Sequence, residues 1–512
     1  MSVSVSTPCG EIIGIQCDGY QEFRGIPYAE QPIGVARFKA PEPLLPFEEP
    51  FKAERFGDAA PQENIPFFGI EQTSEDCLYL NIWSPACDNK KRPVMVWIHG
   101  GGFVTGASSQ VIYKGRELAV NGDVVVVTLN YRLGALGFLY LNDLLPDEYE
   151  VSANNGLLDQ IEALKWIKKN IESFGGNPNQ ITLFGESAGA WSIATLLASP
   201  LATGLFQRAI LQSGGADQVL THSEATEITR RFLKAADIDA TKPEKLWQLS
   251  TSQIIKAQQA CFKHEINRGA FGQPVMQTGI TLLPVIDGVS VSQQPLSAIR
   301  NGDVGHIPLM VGCTRDEWNL FLNMPGVNRV ANTDNAEDMG KLDLINRCET
   351  SLPGMGERAA NLYQKRFQQN NTDVSYSDIF SAFESDRMFR IPSLRIAEQQ
   401  SKHSEQIFMF QFNWDKGPLK ACHASDIPFV FGHTGTTAGQ FLTGGGDDAA
   451  KLSATVQSCW IAFARSGDPS TDRVGKWTAF NQDSRQVMCF DTKTGLQEDP
   501  FQGTAPLWEN VL

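Results

Sequence analysis

Hydrophobic positions along the first half of the chain switch repeatedly between two periods. "VMVWIHG" (94–100) and "DVVVVTLNY" (123–131) are short apolar, β-branched runs without polar alternation. Such runs fit strands covered on both faces, as in the middle of a parallel sheet. Between Gly156 and Phe174, Leu157, Ile161, Leu164, Ile167 and Ile171 recur at helical spacing, and Gly175-Gly176-Asn177-Pro178 stops the run. "QITLFG" (180–185) then predicts a buried strand, and "AGAWSIATLLAS" (188–199) a helix apolar on nearly every side. Later strands are expected at "AILQSG" (209–214), "IPLMVGC" (307–313) and "IFMFQFNW" (407–414). This alternation predicts an α/β fold, a large, mostly parallel twisted sheet with helices on both faces. The stretches 222–270 and 333–405 read mainly as helices and loops. With no repeat, low-complexity tract or clear linker, residues 1–512 are expected to form one domain, with helical insertions over roughly 218–305 and 320–405 as a cap.

Composition narrows the function classes. At 42% hydrophobic and 20% charged residues, the chain has ample material for a core. A formal charge of −15 argues against nucleic acid or an anionic membrane as partner, and no apolar run is long enough to span a bilayer. The start "MSVSVSTPCGEIIG" lacks the basic and apolar regions of a signal peptide, and the ten cysteines form no C-x-x-C pair. A cytoplasmic monomer or small homo-oligomer without a metal site is the simplest expectation.

Within "FGESAGA" (184–190), Ser187 stands between two glycines. The G-x-S-x-G pattern arises by chance in about one chain in four of this glycine content, so its surroundings must decide. They read strand, glycine-flanked turn, buried helix, which holds a serine at the carboxyl end of a central strand, where open α/β sheets place their sites. The alternative, a serine capping a helix, is about equally good for this segment alone. "HGGGF" (99–103) breaks the tie, because three glycines after an upstream strand let bare N–H groups approach a substrate oxygen. A serine nucleophile needs a histidine and an orienting carboxylate, which follow it in the order acid, then histidine. Of the downstream histidines (His222, His264, His306, His403, His423, His433), His423 follows a strand at the correct edge of the sheet. His403 precedes that strand, and His433 stays open. "VGCTRDEWNLF" offers Asp316 and Glu317, between which the residues alone do not choose.

Longer motifs carry a family resemblance. "FRGIPYAEQPIGVARFKAPEP" (23–43), "SEDCLYLNIW" (74–83), "WIHGGGF" (97–103), "NYRLGALGFL" (130–139), the run 154–190 and "HASDIPFVFG" (423–432) occur in one order. In these the chain resembles the type-B carboxylesterases, the cholinesterase and carboxylesterase-like branch of the α/β-hydrolases, and its bacterial para-nitrobenzyl esterase-like members in particular. The resemblance implies a triad of Ser187, Glu317 and His423, and an oxyanion hole made by the amides of Gly101, Gly102 and Ala188. It also implies a structural ion pair between Glu75 and Arg132, and support of the site by Ser213. Secreted relatives pair the E-D-C-L cysteine, here Cys77, with an upstream cysteine whose place Ala60 takes, so that disulfide is expected to be absent. The tryptophan with which cholinesterases hold a quaternary ammonium is missing from "ENIPFFGIEQTSED", which has Phe67 and Phe68 instead.

The expected activity is therefore hydrolysis of neutral carboxylic esters, short- to medium-chain or aryl, through an acyl-enzyme and without a cofactor. Phe103, Phe67 and Phe68 are candidate substrate contacts. An amide or carbamate hydrolase would use the same triad. A non-catalytic interaction protein on this fold would usually have lost the nucleophile, which this chain keeps.

Overall fold

The computed structural model describes residues 1–64, 69–70, 72–145, 151–239, 241–261, 282–324, 339–369, 374–501, 503–504 and 507–508. Seven strands form the parallel centre of its sheet: Arg92–Ile98 (β6), Val125–Leu129 (β7), Gly176–Glu186 (β8), Arg208–Gln212 (β9), Leu309–Thr314 (β10), Ile407–Phe412 (β11) and Gln486–Phe490 (β12). Every residue of β6, β7, β10 and β11 is buried, which is why these strands appear in the sequence as nearly continuous apolar runs.

The flanks are antiparallel. Ser2–Thr7 (β1), Gly10–Gln16 (β2), Gln21–Pro27 (β3) and Tyr79–Ser84 (β5) lie on one side of β7, and Gly495–Glu498 (β13) pairs with β12 on the other; the exception is the short Phe51–Lys52 (β4), which runs parallel to β2. In space the order runs β1-β2-β3-β5-β7-β6-β8-β9-β10-β11-β12-β13. The chain thus leaves β6 towards β7, returns, and continues from β8 in the opposite direction. The reversal between β6 and β8 is the place where open α/β sheets leave a crevice at their carboxyl edge.

Helices Asn155–Asn170 (α1) and Ala188–Leu197 (α2) flank the centre, and all ten residues of α2 are buried. Tyr376–Ser385 (α3), Ile391–Gln400 (α4) and Gly446–Ser466 (α5) follow later in the chain. Among the described residues, no helix is long and apolar enough to cross a membrane.

One expected contact is corrected. Arg132 pairs with Asp159 of α1 rather than with Glu75: Nε and Nη2 donate to the two carboxylate oxygens at 2.8 and 2.7 Å, and the Arg132 amide adds a bond of 3.0 Å. Glu75 pairs with Arg37 through two bonds of 2.7 and 2.6 Å. Each arginine fork takes the carboxylate that meets it with both oxygens, and Asp159 faces Arg132 from the helix packed beside it.

Removing one partner of a buried pair strands the other charge. Asp159→Asn should therefore destabilise the fold by about 3–5 kcal/mol, and Glu75→Gln, whose side chain is partly exposed, by less. Urea denaturation of both variants measures the difference, and equal losses would contradict the assignment.

Candidate active site

Three backbones converge at the switch point. β8 ends at Glu186, and Ser187 turns the chain into α2 at φ 57° and ψ −123°, a conformation unfavourable for any side chain. A methyl group on Gly185 would lie 2.8 Å from both the Gly189 carbonyl carbon and the Ile98 carbonyl oxygen, and one on Gly189 would run into Ile98 itself. Glycine at both positions lets the turn close onto β6. The Ser187 amide donates to the carbonyl of Gln212 at 2.9 Å, tying the turn to the end of β9.

The glycine loop after β6 bends at Gly101 (φ 107°) and Gly102 (φ 61°). It closes on itself through the amides of Val104 and Thr105, which both donate to the Gly101 carbonyl at 3.1 and 3.0 Å. His99 stacks on Tyr131 with ring centroids 4.6 Å apart, and burial pushes its pKa down to about 4, so it is a neutral prop for the loop. Ala188 opens α2, and amides of a first helical turn have no partner within the helix.

Glu317 follows β10 and is fully buried. Its Oε1 accepts from the Ser213 hydroxyl at 2.6 Å and from the Thr314 amide at 2.7 Å, while Oε2 lies 2.6 Å from Nδ1 of His423. The rings of Phe389 and Phe321 pack on the imidazole at 4.6 and 5.1 Å. Asp316 points elsewhere, to Arg315 at 2.9 Å and to the amide of Ala421 at 3.3 Å. His433 bonds the Lys114 carbonyl through Nε2. His222, His306 and His403 are exposed.

Phe103 is wholly buried, with its ring 4.8 Å from Phe138 and 6.2 Å from Trp191. Phe67, Phe68 and His264 lie outside the described residues. Among the described residues, no group of His, Cys, Asp and Glu is arranged to hold a metal ion.

Residues 1–508 match the family model described as the carboxylesterase family. The chain belongs to the carboxylesterase family. It is 37% identical to para-nitrobenzyl esterase of Bacillus subtilis (strain 168) over 97% of its own length and 96% of that protein. It is 33% identical to phenmedipham hydrolase of Pseudarthrobacter oxydans, with 94% of each chain covered. A solved carboxylesterase of Geobacillus stearothermophilus superposes with a TM-score of 0.86 at 34% identity, covering 99% of this chain and 100% of the other. The protein is a serine carboxylesterase, a hydrolase of carboxylic esters.

Sequence reasoning missed two carboxylates of this esterase. Glu186 Oε1 lies 2.9 Å from Nε2 of His423, within ion-pair distance but off the direction of a hydrogen bond. Asp426 accepts from Gln212 Nε2 at 2.8 Å, and Trp460 Nε1 donates to Gln212 Oε1 at 3.1 Å. The available signal was a carboxylate inside an otherwise apolar or glycine-rich run, in "FGESAGA" and again in "HASDIPFVFG".

Burial pulls the imidazole of His423 down, but Glu186 and Glu317 outweigh it and push its pKa up to about 10. Burial raises the carboxyl of Glu186, against the pull of His423, and burial with the nearby Glu186 charge pushes Asp426 up to about 7. A carboxylate that favours the imidazolium delays its deprotonation, so removing that charge lowers the pKa of His423. Glu186→Gln should therefore shift the acidic limb of the pH profile of kcat/KM to lower pH. A limb that stays in place, or rises, would show that Glu186 does not act on the imidazole.

Proposed function

We propose that Ser187 is the nucleophile of this carboxylesterase, His423 its general base and acid, and Glu317 the carboxylate that orients the imidazole. The observation that carries this reading is the 2.6 Å contact between His423 Nδ1 and a buried Glu317 whose other oxygen is already occupied. A carboxylate held from behind takes the Nδ1 proton as its hydrogen-bond partner, so Nε2 is the nitrogen that exchanges a proton with a hydroxyl. In the structure Nε2 lies against Glu186, and catalytic hydrogen bonds to the nucleophile often tighten only in the substrate complex.

Ser187 Oγ attacks the ester carbonyl while His423 takes its proton. The oxygen that becomes negative is met by the amides of Gly101, Gly102 and Ala188. His423 then protonates the departing alcohol, leaving an acyl group on Ser187. Water repeats the sequence in the second half and releases the acid, so the cycle closes without a cofactor. The chain is assigned one working domain, whose helical insertions, roughly 218–305 and 320–405, form the cap. Phe103 is assigned to the apolar wall, and the same role for Phe67 and Phe68 rests on sequence alone. We assign neutral short- to medium-chain or aryl esters as substrates, because the stretch 63–76 offers no tryptophan face for a quaternary ammonium.

Ser187→Ala should lose on the order of 10⁶-fold in kcat with its thermal unfolding unchanged. A variant retaining a tenth of the activity would sink the assignment. Glu317→Gln should lose roughly 10⁴-fold and Asp316→Asn little. The reverse ranking in steady-state assays would move the acid to position 316. Among esters of one acyl group, a 4-nitrophenyl ester should give a higher kcat/KM than the choline ester at moderate salt. A choline preference would overturn the substrate reading.

A further inference from the structure

The helix that carries Phe389 is not a uniform α-helix. Between α3 and α4 it widens into one five-residue turn, Asp386–Arg390, in which the amide of Ile391 reaches back to the carbonyl of Asp386. Turns of this kind are rare and recur at functional sites. All five of its residues are buried, two of them as an ion pair between Asp386 and Arg390. A buried pair of this kind is weak evidence of stabilisation, because desolvating two charges offsets most of their attraction. What the pair holds is more informative.

Arg390 Nη2 donates at 2.6 Å to the carbonyl oxygen of Arg315, two residues before Glu317. One residue before the turn, Ser385 Oγ accepts the amide of Trp318, one residue after Glu317, at 2.9 Å. The helix therefore grips the backbone on both sides of the Asp316-Glu317 dipeptide. Within the same turn, Phe389 lays its ring 4.6 Å from the imidazole of His423. Asp386 is steadied by the Tyr363 hydroxyl at 2.6 Å, and Tyr363 by the indole N–H of Trp508 at 3.0 Å.

We propose that Arg390, anchored by Asp386, is a positioning residue for the catalytic acid, pinning the 315–318 loop so that Glu317 meets Nδ1 of His423. The proposal rests on the reading of Glu317 and His423 given above. A displacement of about 1 Å in such a contact is worth on the order of 10²-fold in rate, which sets the size of the expected effect.

Among the described residues, the charges that face His423 are Glu317, Glu186 and, further off, Asp426, and the rings of Phe321 and Phe389 pack against it. Loosening Glu317 removes an influence that favours the imidazolium, so the acidic limb of the kcat profile moves to lower pH. Deleting the Arg390 cation by itself acts the other way, because a lost positive charge makes the imidazolium easier to form. The sign of the shift thus separates positioning from a direct charge effect.

The test measures kcat, KM and the pH profile with 4-nitrophenyl acetate for Arg390→Met, Arg390→Lys and Tyr363→Phe. Rates are expressed per active site titrated with a phosphonate ester, so that a smaller folded fraction does not count as lower activity. The expected result for Arg390→Met is a loss of about 10²-fold in kcat per site, little change in KM, and a limb shifted to lower pH. Arg390→Lys, which keeps the charge and one donor, should recover part of both. Tyr363→Phe, a milder change, should move both in the same direction and keeps the question answerable if Arg390→Met does not fold. Wild-type kcat per site with an unmoved or raised limb in the folded variants would overturn the proposal. Glu317→Gln is assayed alongside: if it stays active, the assignment of the acid fails; if it is inactive while the Arg390 variants match wild type, only the positioning role fails.

Discussion

The rest of the site depends on the close contact between the first turn of α2 and the carboxyl end of β6. Gly189 rests on the carbonyl of Ile98, and a methyl group on Gly100 would stand 2.7 Å from the carbonyl of Glu186 and 3.0 Å from Cβ of Ser187. No side chain fits between these three segments, so the serine turn and the glycine loop hold one another in place. Ser187 at positive φ costs of order 1–3 kcal/mol, and the parallel pairing of β8 with both β6 and β9 leaves it no alternative. Strain at this residue is thus maintained by strands that have no direct part in the chemistry.

A second level of organisation is electrostatic. The ion pairs Arg37–Glu75 and Arg132–Asp159 match one cation to one anion through two hydrogen bonds each. Around His423 the count is uneven: Glu317, Glu186 and Asp426 are all buried, and the imidazole is the cation they share. In a medium of low dielectric such a group resists carrying every negative charge at once, and burial accordingly raises the carboxyls of Glu186 and Asp426. With Asp426 raised to about 7, the charge behind the imidazole changes within the neutral pH range. The basicity of His423 is therefore a property of the cluster rather than of the histidine and one partner.

Much of this architecture was legible in the chain. The central strands are buried on both faces and so announce themselves as apolar runs. The serine turn and the glycine loop are local, because short glycine-containing segments carry their own geometry. The outer strands are less plain: β1 has the alternation of a strand with one covered face, Val3 partly buried and Val5 buried, but the run is short and nothing in it names its partner strand. Pairings over long distances were harder still. Choosing Asp159 over Glu75 for Arg132, or recognising Glu186 and Asp426 as neighbours of one imidazole, requires knowing which strand ends lie side by side. The grip of Arg390 on the 315 carbonyl is of the same kind, since no side-chain pattern reports a bond to backbone 75 residues away.

The ten cysteines acquire a different meaning in the folded chain. All are free thiols, eight of them buried, Cys77 among them. Burial raises the pKa of Cys313 to about 12 and that of Cys489 to about 11, so neither ionises while its strand is packed. A thiol that becomes reactive only when exposed works as a clock for opening of its surroundings. Cys313 lies in β10 ahead of Glu317, Cys422 beside His423, and Cys489 at the far side of the sheet in β12. The rates at which an alkylating reagent reaches these three would order the opening of the acid loop, the histidine loop and the sheet edge, turning residues without a part in ester hydrolysis into markers of how the scaffold comes apart.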